Sequence, residues 1–366
     1  MKLIPYTEAL ITKKDITSVN TAMKRGWGKN HNLYIQMFEK NFKKKIKTKY
    51  ALATSSCTGA IMIGLMSLGI KKNDEVILSD TNWISPATCI SQLGAKCIFA
   101  DIDENTWCID PDSIEKKITK KTKAIIATHL YGNLCDMERI LQIGKKYKIP
   151  ILEDAAEAIG SKYKKKYAGT MGLMGFFSFH GTKTITTGEG GMLITNEKNI
   201  YKKALTISNL GREEKNISEF RPVLNGLKFK MSNIQAALGI SQLKRLNLIV
   251  KRKINIFNQY KKRLNKLDLH LNHNDKKNVN SYWMPTVVFK KKYKIRKKEI
   301  FKFFRKNKIS TRPFFIPLSS LKMYKKVNNF NSYDIANRAI NLPSYLSMRK
   351  SDIDRVCQTI KKIIRK

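Results

Sequence analysis

From about residue 50 the chain repeats one unit: a short apolar run, a turn, then a helical pattern. Apolar runs at residues 75–79, 97–101, 124–128 and 150–153 alternate with helical patterns at 59–68, 86–93, 111–118 and 137–147. Strands alternating with helices of this length predict a mostly parallel sheet covered by helices on both faces. Residues 175–178 and 191–195 read as two more strands. Before the repeat, helical patterns span residues 14–24 and 33–45, parted by Arg25 to Gly28, with Phe38 and Phe42 on one face of the second. After it, a long helix carrying Gln235, Ala236, Ala237 and Gln242 runs towards Lys261. A strand at 283–289, a helix at 296–307, an extended segment at 311–317 and a closing helix at 351–364 follow. A chain of 366 residues exceeds one comfortable core. The expected division is a large domain over residues 1–250, with an N-terminal arm, and a smaller α/β domain over 251–366.

Bulk properties exclude several classes. At 42% hydrophobic residues the chain is globular, and no apolar run is long enough to span a membrane. Residues 1–5 lack the apolar core of a signal peptide, so the expected location is the cytoplasm. Cys57, Cys89, Cys97, Cys108, Cys135 and Cys357 are scattered without zinc or disulfide spacing, so no metal is expected. The net charge of +43 is spread along the whole chain, with no aromatic-interleaved patch and no nucleic-acid motif. It reads as solvated lysine that steers an anionic substrate, not as specific nucleic-acid binding.

Residues 176–191 concentrate the chemistry. Apolar residues lead into this stretch, Gly188, Gly190 and Gly191 leave it, and Lys183 sits in its middle. Glycines and hydroxyl residues allow the close backbone approach of a ligand-lined turn. A lysine amine in a partly dry pocket is a nucleophile toward carbonyls. A surface lysine is the plain alternative. Asp154 ends a buried strand, where ligands bind in open α/β sheets. A carboxylate there needs a cation or several donors, and a pyridinium nitrogen is one such cation. The alternative is a helix N-cap. Glu157, three residues on, is a candidate for a cofactor oxygen or the substrate, or an ordinary first-turn glutamate. Residues 53–60 open an apolar helix with small and hydroxyl residues. That is an anion site in which the backbone of Cys57 and Gly59 and the hydroxyl of Thr58 donate, or else a plain cap. Ser178 supplies another hydroxyl. Trp83 follows a strand, either to stack on a flat ring or to pack in the core.

This order of phosphate turn, aromatic, strand-end aspartate, serine and lysine is similar to the fold type I pyridoxal phosphate (PLP) enzymes. The chain most resembles the sugar-nucleotide aminotransferase family of the DegT/StrS type. The resemblance runs from Phe38 through residues 53–61, 94–103, 129–132, 153–157, 178–191 and 231–237 to 311–313 and 342–344. Its most specific part is 183–191, and within the family it looks most like the perosamine-synthase branch. The resemblance implies a large, mostly parallel sheet of seven-stranded type and a homodimer with shared active sites. It implies Lys183 as the lysine bonded to PLP, Asp154 at the pyridinium, Trp83 stacked on the ring, and Thr58 with Ser178 on the phosphate. A dehydratase branch carries histidine in place of the lysine, so Lys183 favours amino transfer. His180, nearby, is not its substitute, and Trp27, His180 and Arg312 are candidate substrate contacts.

Two departures stand out. Lys228 occupies the place where the family has an asparagine that reaches the neighbouring subunit's phosphate. Ser319 replaces a frequent histidine. The expected activity is amination of a nucleotide-linked 4-keto-6-deoxyhexose, with L-glutamate as donor and 2-oxoglutarate as by-product, for surface glycan synthesis. The alternatives are 3-keto sugar or octulosonate amination, or a non-enzymatic basic nucleic-acid binder.

Overall fold

A computed structural model describes residues 2–213, 221–273 and 275–365. Its elements run in the order α1 (Lys13–Arg25), α2 (Leu33–Ile46), β1 (Tyr50–Thr54), α3 (Cys57–Ser67), β2 (Glu75–Ser79), α4 (Ser85–Gln92) and β3 (Lys96–Ala100). They continue with α5 (Pro111–Glu115), β4 (Thr122–Thr128), α6 (Met137–Tyr147), β5 (Ile151–Asp154), the hairpin β6 (Lys162–Tyr163) and β7 (Lys166–Tyr167), β8 (Met174–Ser178) and β9 (Gly191–Thr195). Then come α7 (Lys198–Ser208), α8 (Asn233–Lys244), α9 (Leu246–Leu264), β10 (Leu269–Leu271), β11 (Thr286–Phe289) and α10 (Lys297–Lys306). The last are β12 (Arg312–Pro313), α11 (Phe330–Arg338), β13 (Ala339–Asn341) and α12 (Lys350–Ile364).

Seven strands form one sheet in the order β1-β9-β8-β5-β4-β2-β3. The pairs β2/β3, β2/β4, β4/β5 and β5/β8 are parallel, while β9 runs antiparallel to both β1 and β8. Alternate side chains along the strands enter different cores, as a period of two requires. Val76, Leu78, Ile126, Leu152, Phe176 and Leu193 face α3, α4 and α7. On the other side, Ile77, Ile125 and Ile151 meet α6, and Phe177, Met192 and Ile194 meet α2 and α8. Phe42 of α2 packs edge-on against Phe177 and Phe179, and Phe38 lies tilted against Phe179. Helix α3 is buried from Gly59 to Leu65, consistent with a sequence apolar on every side.

A second, antiparallel sheet, β10-β11-β13-β12, shares a core with α10, α12 and the end of α9. Ile4 joins this core, its N–H donating to Lys308 O at 3.0 Å. Helix α9 runs through residue 250, placing Ile249 and Val250 against the large sheet and Ile256, Tyr260 and Leu264 in the small one. The residues described contain no helix long and apolar enough to cross a membrane.

Two expectations need correcting. The long helix towards Lys261 breaks at Arg245, which leaves the helical line to pair with buried Asp15 at 2.5 Å. The strand expected from residue 283 starts only at Thr286. Tyr282 has a left-handed φ of +47°, and Pro285 has no N–H to pair.

At the carboxyl edge of the large sheet the backbone crosses itself closely. A Cβ added to Gly191 meets the Cys57 nitrogen and the Ser56 carbonyl carbon at 2.5 Å, whereas one added to Gly181 meets its nearest atom at 3.8 Å. We therefore expect Gly191→Ala to destabilise the protein by about 1–3 kcal/mol in urea unfolding. Gly181→Ala stays near the parent, and equal midpoints for the two variants contradict this geometry.

Candidate active site

Hydroxyls and one glycine shape the lysine turn. Thr186 Oγ1 donates to Phe179 O at 3.0 Å and accepts from the Gly188 N–H at 2.9 Å, and Thr187 Oγ1 donates to Glu189 O at 2.6 Å. Gly188 takes a φ of +81°, which glycine tolerates without strain. Lys183 thereby enters a cavity of about 390 Å³ at the carboxyl edge of the sheet. That volume lies within the ~300–1,000 Å³ typical of small-molecule sites.

Lys183 Nζ lies 3.1 Å from Glu157 Oε1 and 3.8 Å from the centroid of the Trp283 ring. Glu157 Oε2 accepts the Tyr131 N–H at 3.0 Å, which a left-handed φ of +56° at Tyr131 aims at it. Burial pushes the Glu157 carboxyl above the ordinary carboxylate range, and the Lys183 charge pulls it partly back. Asp154 is buried at the end of β5, and burial raises its carboxyl too, against the opposing effects of the Ala156 amide and Lys183. Its Oδ1 accepts from the Ala156 N–H at 3.1 Å and its Oδ2 from Asn82 Nδ2 at 3.4 Å. Neither donor is a cation. The residues after Asp154 form turns at 156–157 and 159–160, so neither the helix-cap reading of Asp154 nor the first-turn reading of Glu157 applies.

Glu153, the neighbour of Asp154, is also buried but well supplied. It accepts from the amides of Gly169, Met171 and Gly172 and from His129 Nε2. Because His129 Nδ1 accepts the Cys135 N–H, the ring is the neutral tautomer with its proton on Nε2.

At the other end of the cavity, Ser56 caps α3, its Oγ accepting from the Gly59 N–H at 3.1 Å. The Gly59 amide is thus engaged in the cap, while Cys57 and Thr58 line the cavity. Thr58 Oγ1 lies 2.9 Å from Ser85 Oγ, and Ser178 also lines the space. Trp83 is 52% exposed at the cavity wall, which excludes a core role. Its ring stands 5.9 Å from that of Phe315, with the Arg312 guanidinium 5.8 Å from its centroid. Arg312 and His180 line the cavity as well, with His180 Nε2 3.5 Å from Glu189 Oε1.

Three residues singled out in the sequence lie elsewhere in this chain. Trp27 is 60% exposed at the end of α1, its indole N–H donating to Met23 O. Lys228 lines a separate cavity of about 460 Å³ with His31, Asn32, Arg212 and Lys230. Ser319 is buried, its hydroxyl donating to Asp80 Oδ2 at 2.8 Å and its N–H to Oδ1 at 2.7 Å, so it takes no part in the cavity. Sequence reasoning missed Trp283, Tyr131, Asn82 and the capping role of Ser56. Of these, only Ser56, a serine just before an apolar helix, carries a local signal.

The donor set suits a flat aromatic aldehyde bearing a phosphate. An amine faces two buried carboxylates, one of them without a cation, and hydroxyls at a helix start stand across from an exposed indole face. Residues 9–361 match the DegT/DnrJ/EryC1/StrS aminotransferase family. The chain is 37% identical over 364 residues to the GDP-perosamine synthase of Escherichia coli O157:H7, covering 98% of each. It is 31% identical over 363 residues to the GDP-perosamine synthase of Vibrio cholerae, again covering 98% of each. Among solved structures, it superposes on the Streptococcus pneumoniae protein Spr1654 in its PLP form with a TM-score of 0.91 at 26% identity, covering 99% of each chain.

The Asp154 carboxyl has a testable consequence. Its value in the fold lies above the ordinary 3.8, so below that pH its ionisation costs the fold nothing, and above the raised value the fold bears the cost. In cofactor-free protein, Asp154→Asn should therefore resist urea better than the parent at pH 7, with the gap closing as the pH falls towards 4. The amino-transfer half-reaction of the same variant should drop by about 100-fold or more. A gap that does not change with pH refutes the burial argument.

Proposed function

The chain belongs to the DegT/DnrJ/EryC1/StrS aminotransferase family and is a PLP-dependent sugar aminotransferase, and from that premise we propose that it aminates a nucleotide-linked 4-keto-6-deoxyhexose at C4. L-Glutamate is the amino donor in this reading, and the product is a 4-amino-4,6-dideoxy sugar for surface glycans. The observation that carries it is one cavity holding Lys183, Glu157 and Asp154, in a chain similar along its whole length to two GDP-perosamine synthases.

When bound, PLP supplies an electron-accepting ring that stabilises negative charge on the carbon next to the transferred nitrogen. Asp154 would hold a proton at the ring nitrogen, and its burial among neutral donors makes that cation welcome. Thr58, Ser178 and the start of α3, all at the cavity, would hold the phosphate, and Trp83 would cover the ring face. Lys183 Nζ would take the proton from the carbon next to the transferred nitrogen and return one to it, serving as base and then as acid. Glu157, fixed by the Tyr131 amide, orients Lys183 while it does so. Arg312 and His180 stand at the cavity wall as substrate contacts.

Lys228 belongs, in this reading, to the partner's site in a two-fold dimer. Support comes from its position: the Ser55 N–H donates to Phe229 O at 2.7 Å, beside the start of α3, yet Lys228 faces a cavity without Lys183.

Two measurements test these assignments. Borohydride reduction of the PLP-loaded protein should fix the cofactor on Lys183. Incubation with glutamate and a panel of nucleotide-linked keto sugars should yield the 4-amino product by mass spectrometry. An adduct on another lysine removes Lys183 from its role, and amination of 3-keto sugars alone overturns the substrate proposal. In a second experiment, Lys183→Ala and Lys228→Ala are unfolded together and refolded. About half the dimers should be mixed, with one intact site of two, so activity at limiting PLP should approach roughly a quarter of the parent's. Recovery no better than the average of the two variants places Lys228 outside the partner's site.

A further inference from the structure

The Lys183 ammonium has two neighbours on which it rests: Glu157 Oε1 at 3.1 Å and the face of Trp283, whose centroid is 3.8 Å from Nζ. Trp283 is 1% exposed and fixed at both ends. Its indole N–H donates to Thr182 O at 2.7 Å, the carbonyl just before Lys183, and its own carbonyl lies 3.4 Å from Nζ of buried Lys253. Lys253 is anchored in turn on Ser344 O at 2.5 Å and Ser344 Oγ at 3.0 Å. One indole thus meets the backbone beside the lysine and the lysine's charged end.

We propose that the Trp283 ring face and the Glu157 carboxylate form a holding site for the free ammonium of Lys183, which makes Trp283 a positioning residue for the lysine. The need arises from the reaction. A free lysine with four rotatable bonds has its full rotamer freedom, and buried Asp154 in the same cavity offers it a competing carboxylate. A π face attracts an ammonium by its quadrupole and has little hold on a neutral amine. Lys183 is therefore retained while it carries a proton and loosened when it has given that proton to a reacting carbon. Burial weakens Glu157 as a permanent counterion, whereas the ring has no proton to gain and offers its face for as long as the amine is charged.

This inference rests on the proposed role of Lys183, which borohydride mapping tests separately. The full-length protein is saturated with pyridoxamine phosphate, which offers Lys183 no aldehyde. Its lysines are then acylated at one fixed pH, and peptide mass spectrometry compares Lys183 with exposed lysines. The four tryptophans are replaced by mono-, di- and trifluorinated tryptophan, which keep shape and N–H while draining the ring face. Lys183 acylation should rise with each fluorine, to about two- to fivefold in all, the scale of a cation–π contact. The rise should vanish in a Trp283→Phe background, where the other tryptophans still carry fluorine. Trp283→Leu should match the most fluorinated protein, and if that variant does not fold the fluorine series decides alone. A flat response, or a rise that persists without Trp283, overturns the proposal.

Discussion

Asp154 and Glu157 are two buried carboxylates that line one cavity with a single lysine, Lys183. Much of the site follows from that imbalance. Burial disfavours the charge on each, and Lys183 offsets the cost for both only in part. The site is short of one positive charge, which in the proposed reading a protonated ring nitrogen would supply. The large sheet makes this arrangement possible. Strand β5 lies between β4 and β8, so a side chain at its carboxyl end is flanked by strands on both sides and opens only onto the cavity. Glu153, one residue earlier, shows the contrast: four donors satisfy it, and it holds the loop at 169–172 in place.

What the sequence made legible was carried by local chemistry. Apolar runs alternating with helical periods identify the large sheet because its inner strands are buried on both faces and its helices, α3 excepted, on one. The lysine turn is recognisable because its threonines and Gly188 do their bonding within the turn itself. Long-range contacts left no such mark. Trp283 reaches Lys183 across 100 positions, and nothing in its neighbours distinguishes it from a strand tryptophan. Ser319 stands where a histidine is frequent, and its partner, Asp80, lies far away in sequence. The break at Arg245 was invisible because Asp15, its partner, belongs to the first helix.

The charge balance looks different once burial is known. Asp15, Asp80, Glu153, Asp154 and Glu157 are buried, whereas Lys253 is the buried cation among the described lysines and arginines. The acidic residues are drawn inward and the surface is more lopsided than the composition alone implies. A substrate bearing phosphates approaches a field of one sign, strongest at low salt and screened beyond ~10 Å at 0.1 M.

Helix α9 contributes to both cores along its length: Leu246, Ile249 and Val250 belong to the large one, and Ile256, Tyr260 and Leu264 to the small one. Midway, Lys253 ties it to Trp283 and Ser344, and Phe257 stacks on Tyr282 with ring centroids 3.7 Å apart. A rod embedded in two cores cannot melt on one side while staying packed on the other without exposing its apolar face. The two sheets should therefore unfold in one cooperative transition, giving a single calorimetric peak where the chain's length alone suggests two.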